Sequence, residues 1–264
     1  MNLSTGMQAC LAAHGYHQAL SNGWAEARSG SMPATADAAD TGTLLAVVTL
    51  NGGAYTGETR ARWKITLAGS SGSVDTIKIG GMPVLPAAVN FTSTLAATAT
   101  AVAAAINANS TNPKFDASTD DDDVYITAPY GSGTDYNAVV CATTATTMTA
   151  TVAGDGTPNG SGGTAGVAAV NGLNWQYPPV AGVLSKESTT WQDSSANASG
   201  TVGYIRLKLD ATDDGTLSTT YRRIDFSVAS SGADINGTSL VTTAAAPFII
   251  SDLPLTIPKA GSAT

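Results

Sequence analysis

The chain has two histidines, His14 and His17, separated by Gly15-Tyr16. On a helix this spacing can turn two ring nitrogens toward one ion, the start of a zinc site. No Glu lies between them and no third ligand follows nearby, so a helix end is the expected role and no metal is assigned. Asp120–Asp123 places four carboxylates in a row ahead of a predicted strand. Oxygen ligands of this kind suit calcium. Neighbouring residues of an extended chain point to opposite sides, which leaves Asp120 and Asp122 as the calcium candidates. A solvated, self-repelling loop is the preferred alternative.

Asp210-Ala-Thr-Asp213-Asp214-Gly215 lacks the closing Glu of a calcium loop and reads as a β-turn. Gly154-Asp-Gly156 lacks the strand-to-helix context of a dinucleotide fingerprint. No G-x-S-x-G elbow nominates one serine among many. No catalytic residue and no cofactor is therefore assigned. Asn90, Asn109, Asn197 and Asn236 open glycosylation sequons, for which chance suffices in a chain so rich in Asn and Thr.

Stacking aromatics offer a different chemistry. Trp24, Trp63, Trp175 and Trp191 can form a sugar platform, but core anchoring is the default for such large rings. Tyr130, Tyr136 and Tyr177 fall in predicted loops and form the candidate interaction set.

Composition narrows the classes. Net charge is −8 and charged residues make up 12% of the chain, about half the usual share. The basic residues are scattered, with Arg222–Arg223 the one adjacent pair, so a nucleic-acid surface is not expected. Cys10 and Cys141 allow one disulfide, although two reduced or buried thiols are the simpler reading. No apolar run reaches the ~20 residues of a membrane span, so no membrane insertion is expected. No signal-peptide pattern opens the sequence, which points to synthesis in a cytoplasm.

The elements that must position these residues are mostly strands. Leu3–Leu20 predicts a short helix capped at Ser4 or Thr5, with a break near Gly15. Trp24–Arg28 and Leu44–Leu50 read as strands, the second ended by Asn51-Gly52. In Gly203–Leu209, Tyr204, Arg206 and Lys208 alternate with Ile205, Leu207 and Leu209, the period of a half-buried strand. Arg223–Val228 is its neighbour across a turn-rich stretch.

Between these lies a different module. Strands are predicted at Arg62–Leu67, Val74–Ile79, Lys114–Ala117, Val124–Ala128, Ala138–Ala142 and Met148–Val152. A helix over Thr92–Asn109 carries apolar residues at three- and four-residue spacing. Gly154–Gly166 reads as a linker. Asn-Gly pairs near both ends suit insertion at an exposed turn. The expected architecture is mainly β. Residues 1–56 plus 168–264 form an antiparallel sandwich or jelly-roll-like domain, and 57–167 form an inserted α+β domain.

Several strings also resemble a known family. Ser4-Thr-Gly6, SGSMPATADAADTGTLLAVVTLNGGAY, GLNW, AGVLSKESTTWQ, GTVGYIRL, ATDDGTLSTTYRRIDFSV and SGADIN are similar to a family of small tailed-phage and prophage virion proteins. VDTIKIGG with the AVAAAINA helix resembles modules of other virion proteins. The resemblance covers about Leu3–Tyr55 and Val170–Pro258. It implies a non-enzymatic virion component made in the bacterial host cytoplasm, tail-associated as connector, baseplate or fibre attachment. Capsid decoration, or a receptor- or glycan-binding tail tip, is the alternative. The implied partners are other virion proteins, copies of itself and, for the tip, a host surface glycan or receptor.

Overall fold

A computed structural model describes residues 1–109, 113–160, 162–236 and 241–256. The fold is mainly β, with 37% of residues in strands against 12% in helices. In chain order the principal elements are α1 (Thr5–Ala19), β1 (Trp24–Ser29), β2 (Leu44–Leu50), β3 (Arg62–Ala68) and β4 (Ser73–Ile79). These are followed by α2 (Leu95–Ala108), β5 (Asp116–Asp120), β6 (Asp123–Thr127), β7 (Cys141–Thr146) and β8 (Thr149–Val152). β9 (Trp191–Asp193), β10 (Gly200–Lys208), β11 (Arg223–Ala229) and β12 (Phe248–Ile250) complete the set. The chain divides into two units, Met1–Gly57 with Ala169–Thr264, and Glu58–Ala168.

The first unit is built on one sheet in the order β11–β10–β1–β2–β9–β12, with Asn2–Leu3 added beyond β11. All these pairings are antiparallel. Register aligns Val48, Ala25, Leu207 and Ile224 in one row, and Ala46, Ala27, Ile205 and Phe226 in the next. All eight are buried and form the apolar face.

α1 starts at Ser4, whose hydroxyl accepts from the Met7 backbone N–H at 3.0 Å and donates to the Tyr221 carbonyl at 2.7 Å. Gly6 is required by close approach, because a Cβ there would sit 2.2 Å from the Thr220 carbonyl oxygen. Gly15, at φ 73° and ψ 170°, interrupts the helix, which matches the predicted break. Positive φ is the ordinary province of glycine.

The second unit pairs two four-stranded sheets. One runs β7–β4 and adds Met82–Pro83 and Val89–Asn90 to β4; the other runs β8–β3–β6–β5. Trp63, Ile65 and Leu67 of β3, Val74 and Ile77 of β4, and Val124 and Ile126 of β6 join Ala99, Val102 and Ile106 of α2 in one core. α2 starts at Thr94, whose hydroxyl accepts from the Ala97 N–H at 3.1 Å. Its far end is capped by Lys114, a buried ammonium that donates to the carbonyls of Ile106, Asn107 and Asn109.

Three details depart from the sequence reading. Asp120–Asp123 is a hairpin between β5 and β6, with Asp120 paired to Asp123 and Asp121 at φ 52°. The strand predicted from Ala138 begins at Cys141, because turns at Ser132–Asp135, Thr134–Asn137 and Tyr136–Val139 hold the chain before it. Gly154–Gly166 is no free linker. Gly156 bonds to Ala153 and Cys141, Thr164 pairs with Arg62, and Gly166 bonds to Asn137. The turn expected at Asn236-Gly237, the end of the Asn109 sequon and the chain from 257 on lie outside the described residues.

Candidate functional site

The strongest concentration of chemistry lies on the second face of the first unit's sheet. Register brings Trp24, Lys208 and Arg223 into one row, and Val47, Glu26, Arg206, Asp225 and Asn2 into another; Arg28, Tyr204 and Ser227 share a third. The sequence pattern predicts this as the solvated face. It is covered instead: Arg206, Arg223, Tyr204 and Asp225 are all 0% exposed.

Two loops provide the cover. From the segment 30–43, Asp40 accepts from Arg206 at 2.8 Å through Oδ1, and from Arg28 at 2.7 Å and Lys208 at 2.8 Å through Oδ2. The Ala38 carbonyl accepts from Arg206 Nη1 at 2.8 Å, and Tyr204 Oη donates to the Thr41 carbonyl at 2.8 Å. Asp37 accepts from the backbone N–H and hydroxyl of Thr5, placing a carboxylate at the positive end of α1. From the segment 210–222, Asp213 binds the Arg223 guanidinium and Asp210 binds Arg222. The two loops meet where the Asp40 N–H donates to the Gly215 carbonyl at 2.8 Å. A Cβ on Gly215 would lie 2.2 Å from Asp40 Oδ2, so this crossing needs glycine.

Within the sheet, Arg206 grips Asp225 with two bonds of 2.7 Å, and Glu26 bridges Arg28 and Lys208 at 2.8 Å each. Arg28, Arg206, Lys208 and Arg223 are thus matched by Glu26, Asp40, Asp213 and Asp225. Burial pushes the Asp40 carboxyl up, but Lys208, with Arg28 and Arg206 behind it, more than offsets this and holds it below the usual carboxylate range. Burial opposes the Arg206 cation, and Asp225 and Asp40 overcome it, so its pKa is raised. Asp225, enclosed on all sides, is raised by burial against the pull of Arg206. Every charge in the network has a partner, and buried charges are tolerated on that condition. The arrangement ties loop to sheet.

The residues singled out from sequence are dispersed. His14 Nδ1 lies 3.2 Å from Gln18 Oε1, and the His17 ring packs 4.5 Å from that of Tyr177. Among the described residues no group of three or more His, Cys, Asp or Glu is placed to hold a metal, the Asp120 and Asp122 hairpin included. Asp213 and Asp210 are engaged by arginines within a turn, in which the Asp213 N–H donates to the Asp210 carbonyl at 2.9 Å. Cys10 and Cys141 are buried thiols, one in each unit. Burial pushes the Cys141 thiol up to about 12.

Tyr136 leaves the interaction set. Its ring is half-buried and packs edge-on against Trp63 at 6.0 Å and Phe115 at 5.5 Å, at the margin of the core. Tyr130 is half-buried, with the Arg60 guanidinium 3.9 Å from its ring centroid. Tyr177 is 58% exposed, beside Val180 at 66%, near the end of a hairpin closed by the Val180–Val183 bridge. All four tryptophans are buried. Among known proteins the chain matches no family model, no curated protein and no solved structure.

Proposed function

We propose that this protein is a non-enzymatic structural component of a tailed-phage virion, tail-associated as connector, baseplate or fibre attachment. The observation that carries the reading is where the charge goes. Arg28, Arg60, Lys64, Arg206, Lys208, Arg222 and Arg223 each pair with a carboxylate of the same unit. In a chain with only 12% charged residues, this leaves outer surfaces made largely of Thr, Ser, Ala, Asn and Gly. Such surfaces have few charges to desolvate, and depletion of charge marks the buried core of subunit interfaces.

The phage-like strings agree with this. Ser4, Gly6, Asp37, Asp40, Arg206, Asp213, Gly215, Arg223 and Asp225 all fall inside them. In this chain those residues latch two loops to a sheet, which supports an architectural role. A receptor-binding tip is the second reading, favoured by the exposed Tyr177 and Val180.

Gold-labelled antibody on intact particles, together with a mass-spectrometric inventory of those particles, tests the proposal. Label at the tail is the expected outcome. Label over the capsid replaces the tail assignment with decoration. Absence from both label and inventory overturns the virion reading.

A further inference from the structure

Lys208 places a primary amine within the covered face of the first unit's sheet, where it is 2% exposed. Its Nζ donates to Asp40 Oδ2 and to Glu26 Oε1, at 2.8 Å each. Asp40 reaches it from the segment 30–43, and Glu26 from the neighbouring strand β1. Both oxygens of Asp40 are also held by guanidiniums, Oδ1 by Arg206 and Oδ2 by Arg28. The backbone of Asp40 is fixed as well, through the N–H it donates to the Gly215 carbonyl. An amine, a carboxyl carbon and a second carboxylate are thus held together away from water.

We propose that Lys208 and Asp40 are the precursor of an intramolecular isopeptide bond, formed without a cofactor. Glu26 takes one proton from the Lys208 ammonium. The freed nitrogen lone pair attacks Asp40 Cγ and forms the C–N bond, while Arg206 and Arg28 hold the charge that develops on the two oxygens. The Cγ–Oδ2 bond then breaks. Its oxygen leaves as water, carrying the proton held on Glu26 and a second one from the nitrogen. The sum is ammonium plus carboxylate giving amide plus water, with Glu26 restored. Asp40 is the acceptor because guanidiniums hold both of its oxygens, whereas Glu26 has one, at Oε2. Charge accounting favours the product. Arg28 keeps Glu26 and Arg206 keeps Asp225, while two buried charges become one neutral amide. Fixed proximity supplies much of what activation of the acid would otherwise have to supply. The three cations keep Asp40 ionised, so the bond builds up slowly in the folded chain rather than during folding. The inference rests on this cluster and not on the virion reading.

Intact-mass spectrometry of the full chain, sampled during incubation at neutral pH, is the test. A species lighter by one water is expected to accumulate, and digestion should yield one branched peptide joining the segments of Asp40 and Lys208. Chain kept unfolded in guanidinium should hold its full mass. Lys208→Met should abolish the loss, and Glu26→Gln should slow it at least about tenfold. An unchanged mass in the folded natural chain after several weeks overturns the inference, whatever the variants do. Loss of water mapped to Asp155-Gly156 or Asp214-Gly215 is a succinimide and overturns it equally. A branched peptide joining Lys208 to Glu26 overturns the choice of Asp40 as acceptor.

Discussion

At the scale of single residues, the balance between desolvation and pairing decides what a substitution does. Arg206 and Asp225 are both fully buried and joined by two bonds of 2.7 Å. Removing one partner strands the other charge, and such losses run to about 3–5 kcal/mol. Asp225→Ala should therefore lower stability by about that much in urea denaturation. Replacing the pair together, as Arg206→Met with Asp225→Leu, should cost less than Asp225→Ala alone, although Asp40 and the Ala38 carbonyl still lose a donor. A double variant as damaging as the sum of its singles would show that the two side chains act separately. Cys141 makes a second case. Burial holds its thiol near 12, so the reactive thiolate is scarce at neutral pH. Iodoacetamide should label Cys141 only on unfolding, and rapid labelling of the native chain would contradict its placement between the sheets.

At the scale of elements, close approach and end-capping carry the argument. Gly6→Ala puts a methyl group against the Thr220 carbonyl oxygen, and backbone cannot move aside as a flexible side chain can. A loss of about 1–3 kcal/mol is expected, with faster amide exchange in α1 as the diagnostic readout. Lys114→Met removes the donor to three carbonyls at the end of α2, at a cost of about 1–3 kcal/mol, concentrated in exchange from the last turn of that helix. How far such elements can be read from sequence depends on the range of the forces that shape them. Leu44–Leu50 and α2 are legible because apolar spacing, Asn51-Gly52 and Thr94 act locally. The cover over Arg206 and Lys208 is not, because alternation along β10 looks the same whether water or a loop faces it. The deciding partner, Asp40, lies 166 residues from Arg206. Tyr136 was illegible for a related reason: a ring in a loop segment turns back onto Trp63 and Phe115, which no local signal announces.

At the scale of the whole molecule, acid and dissection are the two informative perturbations. Asp40 lies below the usual carboxylate range because Lys208, Arg28 and Arg206 outweigh its burial, and Asp123 lies below it because Lys64 and Thr66 do the same. A carboxyl lowered by folding contributes stability above its unfolded pKa of about 3.9 and loses it as pH falls through the folded value. Asp225, raised by burial, acts in the opposite sense and is relieved by protonation. The lowered groups prevail, so melting temperature should be flat through neutral pH and fall below about pH 4. A steep loss near neutrality would contradict this balance. Dissection tests the division into units. In the first unit Thr56 and Val170 exchange backbone bonds of 3.1 and 2.8 Å, and in the second Thr59 and Val167 exchange bonds of 3.0 and 2.7 Å. Each unit thus carries its own paired ends next to the cut. Each also has its own core, and closing a short loop costs little compared with a buried core. Joining Gly57 to Ala169 through a short turn should leave a first unit that unfolds cooperatively, and residues 58–168 expressed alone should do the same. The intact chain should then show two calorimetric transitions, each matching one isolated unit. A molten first unit, with dye-binding apolar surface and no cooperative transition, would mean that its sheet cannot close without the inserted segment.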